Sequence, residues 1–170
     1  MADGTRNALV ILSGGQTGAD RAALDVALEL GLGCGGWCPR GRRAEDGAIP
    51  DRYPLRETPT AAYPQRTEWN VRDADATLIL HAGRTDRGTA LTQRLARAGG
   101  KPLRSIDVRT ANAADLTAWI EREGIARLNV AGPRESGSPG IQAAAAAFLR
   151  RALSGLAGRV PPERYRPDSQ

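Results

Sequence analysis

Lysine is almost missing from this chain: Lys101 is the only one among 24 basic residues, so the net charge of +5 is carried by arginine. The arginines are spread along the sequence instead of clustering, which argues against a face for duplex nucleic acid. A guanidinium grips two oxygens of an anion at once, so a few of these arginines suit a small phosphorylated ligand instead. Aromatic residues make up only 4% of the chain. The core must then be built from Ala, Leu, Val and Ile, with glycine letting backbones approach closely. No apolar run reaches membrane length and none follows a basic start, which leads to the expectation of a cytoplasmic protein with no membrane partner. Cysteine and histidine are scarce too: Cys34, Cys38 and His81 are all there is. Two thiols and one imidazole fall short of a closed tetrahedral zinc site, and a disulfide is not expected, so no metal ligands are assigned.

What is present is a repeated order of apolar run, glycine-rich turn and helical period. Residues 8–12 (ALVIL) form a short continuous apolar run of the kind a buried parallel strand shows. The loop SGGQTGAD follows, and residues 21–30 then carry apolar side chains at helical spacing up to Gly31. A strand is expected near Cys34–Trp37, running into a long Gly-, Arg- and Pro-rich loop that ends near Glu57. A short helix is expected over 66–73, a buried strand over 76–81 (ATLILH), the loop AGRTDRGTA, and a helix over 90–98. After these come an edge strand over 101–107, an amphipathic helix over 113–123, a strand over 127–131, the loop GPRESGSPG and an alanine-rich helix over 141–156. Short apolar strands alternating with helices imply a mostly parallel Rossmann-like α/β sheet covered on both faces. One domain over 1–158 is expected, with 159–170 as a flexible tail.

Ligands of such sheets bind beyond the carboxyl ends of the strands, where three glycine loops here converge. In the first, Ser13, Gly14, Gly15, Gln16, Thr17 and Gly18 offer amides and short polar side chains at a helix start. In the second, Gly83 and Gly88 have Walker A spacing, but Thr89 and Ala90 replace the Lys and Ser/Thr, which excludes P-loop ATP hydrolysis of the usual kind. Phosphate capture by Gly88, Thr89 and Arg84 remains. In the third, Arg134, Glu135 and Ser136 are candidate contacts, while Ser138 and Pro139 fit a helix cap. The segment between the first two loops adds Arg40 and Arg43, and Trp37 either stacks on a flat heterocycle or fills the core. Glu45 and Asp46 are a general acid or partners for the arginines.

The stretches SGGQTGADRAALD, GGWCPRGRRAEDG, RTEWNV and LNVAGPRES, in this order over residues 8–153, resemble the circularly permuted YpsA-type branch of the SLOG superfamily. That resemblance implies a Rossmann-like fold, self-association as a dimer or tetramer, and recognition of nucleotides or nucleotide-derived molecules. Members are described as candidate molybdenum carriers, which makes the molybdenum cofactor, a molybdopterin, the implied cargo. The superfamily's LOG-type phosphoribohydrolases carry a PGGxGTxxE motif. Its nearest equivalent here is Gly88-Thr89, and Thr92 stands in place of the glutamate. A neutral hydroxyl cannot shuttle a proton or stabilise an oxocarbenium ion as a carboxylate does.

Two functions follow as expectations. One is a non-catalytic carrier of a phosphate-bearing pterin or nucleotide. The other is a nucleotide N-glycosidase whose catalytic carboxylate has moved to Glu45, Glu68 or Glu135.

Overall fold

The apolar run near the amino terminus folds as β1 (Val10–Leu12), and its continuation α1 (Ala19–Glu29) crosses back to β2 (Gly33–Gly35), which pairs parallel with β1. In this computed structural model residues 8–158 are described. The expected tail over 159–170 lies outside them.

Between β2 and the next long helix the chain makes small ribbons. Strand β3 (Trp37–Cys38) pairs parallel with β6 (Arg56–Glu57), and β4 (Arg43–Ala44) pairs antiparallel with β5 (Gly47–Ala48) in a hairpin. The single strand expected near Cys34–Trp37 is therefore two, because the chain leaves the main sheet at Gly36. Then follow α2 (Tyr63–Asp73), β7 (Ala76–His81), α3 (Arg87–Ala98), β8 (Leu103–Asp107), α4 (Ala113–Glu123), β9 (Arg127–Ala131) and α5 (Ile141–Leu153), with a 3-10 turn over Ser154–Leu156.

The main sheet runs β2-β1-β9-β7-β8, all parallel. From β1 the chain steps outward to β2, and from β7 it steps outward in the opposite direction to β8. Right-handed crossovers in opposite directions put α1 and α3 on opposite faces. Helices α1, α4 and α5 pack together on one side, and α2 and α3 on the other. Strand β9 returns between β1 and β7, so the crevice where the winding reverses opens at the carboxyl ends of these three strands. The fold is thus the single-domain, doubly covered α/β sheet that the element order implies.

The two faces differ in chemistry. Side chains alternate along a strand. Ile11, Leu78, Leu80, Leu128 and Val130 join the main apolar core with Leu24, Leu116, Phe148 and Leu149. The alternate positions include Thr77 and Asn129, which are register partners, buried, and 3.4 Å apart. Beneath α2 and α3 the sheet is partly polar, and the cleft opens on that side.

Helix α1 starts two residues before the sequence pattern places it and α2 and α3 start three before it, while α5 starts where expected but under a different cap. Helix α3 begins at Arg87, three residues early, because the Asp86 carboxylate accepts from the Thr89 amide at 2.8 Å and so caps the first turn. Helix α5 is not capped by Ser138. Gly140 precedes it, and the Glu135 carboxylate reaches over to accept from the amides of Gly140 (2.6 Å) and Gln142 (2.9 Å).

Gly132, just past β9, closes the crevice floor. A Cβ there would overlap the Leu80 carbonyl oxygen and lie 2.6 Å from the Ala19 Cβ. Gly132→Ala is expected to destabilise the fold by roughly 2–3 kcal/mol in denaturant titration. Gly137→Ala, whose Cβ would meet nothing closer than 3.6 Å, should change it by less than about 0.5 kcal/mol.

Candidate functional site

At the carboxyl end of the sheet lies a cleft of about 260 Å³. One wall is the first loop and the start of α1, with Gln16 and Asp20; another is the first turns of α2, with Tyr63, Pro64, Arg66 and Thr67. A third is the start of α3 from Asp86 to Thr92, and the fourth is Ala131, Gly132 and Arg134 after β9. Spacing explains the α2 wall: Tyr63, Arg66 and Thr67 stand at i, i+3 and i+4 and share one helix face.

Asp20 is the most buried charge of the site, 2% exposed. Burial pushes its carboxyl above the usual carboxylate range and neighbouring Asp86 adds to this, while the Arg66 guanidinium and the amides of Gln16 and Gly14 oppose the rise. The Arg66 Nη1 sits 3.3 Å from Asp20 Oδ2. It reaches that position over Gly14, where any Cβ would overlap the guanidinium.

Most amides of the first loop are already engaged. The Gln16 amide is 3.4 Å from Asp20 Oδ2, the Thr17 amide donates to Gln16 Oε1 (3.1 Å), and the Gly18 amide donates to Gln142 Oε1 (3.0 Å). Ser13 turns inward, its hydroxyl donating to the Val130 carbonyl at 3.0 Å. Gly15 packs against Ile49 and Leu55. At α3, the Thr89 amide and hydroxyl both donate to Asp86 Oδ1 at 2.8 Å. Among the described residues, the buried side-chain atoms left without a hydrogen-bond partner are Gln16 Nε2 and Arg66 Nε, both in cleft residues. Such atoms are costly to leave unpaired, and an acceptor-rich ligand would satisfy both.

Of the residues singled out in the sequence, Gln16, Gly88, Thr89, Thr92 and Arg134 line the cleft, and so do Arg66 and Thr67 of the RTEWNV stretch. Arg43 stands beside it with its guanidinium carbon 5.9 Å from the Tyr63 ring centroid. Trp37 does not face the cleft. It is 8% exposed, edge-to-face with Trp69 at 4.6 Å, and its indole N–H donates to Asp73 at 2.7 Å. Arg40 is exposed on the ribbon beyond the lining. Gly83 and Arg84 are exposed outside it as well, the Gly83 amide donating to His81 Nδ1 at 3.1 Å.

Glu45, at the tip of the β4–β5 hairpin, clasps two loops. Its carboxylate accepts from the hydroxyls of Thr17 and Ser136 and from the Ser136 amide (3.1 Å), with Arg134 at 4.0 Å. The Thr17 hydroxyl also accepts from the Glu135 amide at 3.1 Å. Next to it, Asp46 pairs with both terminal nitrogens of Arg21. Glu45 and Glu135 are thus structural fasteners in this arrangement, and Glu68 is an exposed residue of α2. None of the three lines the cleft; Asp20 and Asp86 do.

The family model described as "Circularly permutated YpsA SLOG family" matches residues 11–153. This chain belongs to that family. Among solved structures, it is similar to a "Putative molybdenum carrier protein" from Syntrophus aciditrophicus SB, with 43% sequence identity and a TM-score of 0.81. The match covers 86% of this chain and 96% of the other. No curated protein matches the chain. Among the described residues, no helix is long and apolar enough to cross a membrane.

In this family member, Thr92 is buried and its hydroxyl donates back to the Gly88 carbonyl at 3.0 Å. Two residues of the cleft gave little sequence signal. Tyr63 stands in an undistinguished stretch before Pro64, and Asp86 lies inside a glycine loop. The Asp-x-x-Thr spacing of a helix cap was the available clue to Asp86.

Burial raises the Glu45 carboxyl, but hydrogen bonds from Ser136 and Thr17, with Arg134, outweigh it, and the net shift is downward from the ordinary 4.5. A depressed carboxylate stabilises the fold above its unfolded value and loses that contribution as pH falls through the folded one. Glu45→Gln should therefore cost on the order of 1–2 kcal/mol at pH 7. The gap from the parent protein should shrink on acidification below 4.5, as followed by thermal melts across pH.

Proposed function

We propose that the protein is a carrier that binds a small phosphate-bearing ligand in the cleft and releases it unchanged, with the molybdenum cofactor as the cargo. The observation that carries this reading is the pair of buried, unpartnered donors, Gln16 Nε2 and Arg66 Nε, in a cleft whose backbone amides are largely spoken for. A phosphate offers several acceptor oxygens in one compact group and accepts charge-assisted bonds from a guanidinium. Arg134 and Arg43 at the rim add attraction for an anion.

The name of the solved relative supports molybdenum as part of the cargo. Among the described residues, no group of three or more His, Cys, Asp or Glu side chains could hold a metal ion. Recognition of such a cargo then falls on its phosphate and its pterin ring, the parts that hydrogen-bond donors and an aromatic side chain can hold. Binding without turnover is supported by Thr92 at the place of the LOG-type glutamate, with its hydroxyl tied to Gly88.

Calorimetric titration with molybdenum cofactor, nucleoside monophosphates and inorganic phosphate tests the assignment. A one-to-one complex is expected, with the ligand recovered intact by chromatography. Arg66→Met should weaken it about tenfold or more. Absence of binding by every phosphorylated ligand would remove the assignment.

A further inference from the structure

The cleft holds an aromatic ring that its hydrogen-bonding account leaves unused. Tyr63 is the first residue of α2 and is half-buried in the cleft wall. Three guanidinium carbons surround its ring, each from a different part of the chain. Arg134, after β9, lies 5.8 Å from the ring centroid; Arg43, on the β4 ribbon, lies at 5.9 Å; Arg66, one turn along α2, lies at 6.0 Å. Cation–π attraction fades near 6 Å, so the ring alone gains little from any of them.

Three like charges around one ring repel unless counter-charges are supplied. Arg66 has Asp20 and Arg134 has Glu45 at 4.0 Å. Arg43 has no ion pair among the described residues, and its guanidinium carbon lies 5.9 Å from the Tyr63 ring centroid. The rim is therefore short of negative charge on the side where the ring stands. A ligand with a flat π-system and an attached phosphate supplies both missing partners: a face for Tyr63 and oxygens for the arginines. A cleft of about 260 Å³ is small for a ligand site, which suits one phosphorylated heterocycle better than a dinucleotide.

We propose that Tyr63 is the stacking platform for a planar fused heterocycle of a monophosphorylated ligand, with Arg43 and Arg134 flanking the ring and the phosphate reaching inward to Arg66 and Gln16. This rests on the cleft being a phosphate site, as argued above, and adds what the site selects. Tyr63 sets preference among phosphorylated molecules; Arg66 and Gln16 set whether they bind at all.

The test compares guanosine monophosphate, whose flat bicyclic base shares the amino-oxo-pyrimidine ring of a pterin, with ribose 5-phosphate, which has no base. The full-length protein, Tyr63→Phe and Tyr63→Leu are each titrated calorimetrically with both. The parent should prefer the nucleotide by about tenfold, the scale of one base stacked on one aromatic ring. Tyr63→Phe should keep that preference. Tyr63→Leu should lose it while binding ribose 5-phosphate as the parent does. Equal binding of the two ligands by the parent, or an intact preference in Tyr63→Leu, overturns the platform and leaves the phosphate site standing. Loss of ribose 5-phosphate binding in Tyr63→Leu also overturns it, since Tyr63 would then be building the site and not selecting within it. Failure of the parent to bind either ligand overturns the phosphate site and the platform together.

Discussion

A carboxylate buried at the start of α1 needs a cation, and in this protein Arg66 meets Asp20 from across the cleft. Breaking such a pair leaves an uncompensated interior charge, whereas forming it adds little net stability. Its effect is on geometry. Arg66 must reach Asp20 over the bare backbone of Gly14, which fixes α2 against the first loop. With α2 held there, Tyr63 and Thr67 fall on the same helix face as Arg66 and line the cleft. Only part of the guanidinium is spent on Asp20, and Nε stays without a partner. The ion pair thus both builds the cleft and leaves it one strong donor.

A second constraint holds the opposite side. The β4–β5 hairpin is too short to pack a core of its own, so its tip is fixed by polar fastening. Glu45 binds Thr17 and Ser136, Asp46 binds Arg21, and the Glu45 amide donates to Gln16 Oε1 at 2.9 Å. That last bond orients the Gln16 amide group, and its Nε2 is the other unpartnered donor. Positioning of both donors therefore comes from residues distant in sequence. The glycines of the first loop serve this arrangement by admitting Arg66 and the third loop close to the backbone. A Cβ on Gly18 would overlap the Pro133 carbonyl oxygen.

Family membership, the layered α/β fold and the succession of the main-sheet strands and helices were legible in the sequence because they depend on local patterns. Strand β9 (Arg127–Ala131) and helix α4 (Ala113–Glu123) coincide with their apolar periodicity. The candidate site was less legible. Ser13, Glu135 and Thr89 are the polar residues a glycine loop offers to a ligand, yet their groups are taken by Val130, the start of α5 and Asp86. Sequence reveals that a donor exists, but not whether the protein already uses it.

From the order of residues alone came the parallel sheet, the crevice at its carboxyl edge and the loops that meet there, since each follows from apolar period, glycine placement and crossover handedness. Tertiary structure alone decided which atoms remain open in that crevice. Hydrogen-bond partners such as Gln142 for Gly18 are 124 residues apart, and no local pattern encodes such a pairing. For the same reason Trp37 is an interior residue and Tyr63 a cleft residue: each ring's surroundings are fixed by chain segments that only folding brings together.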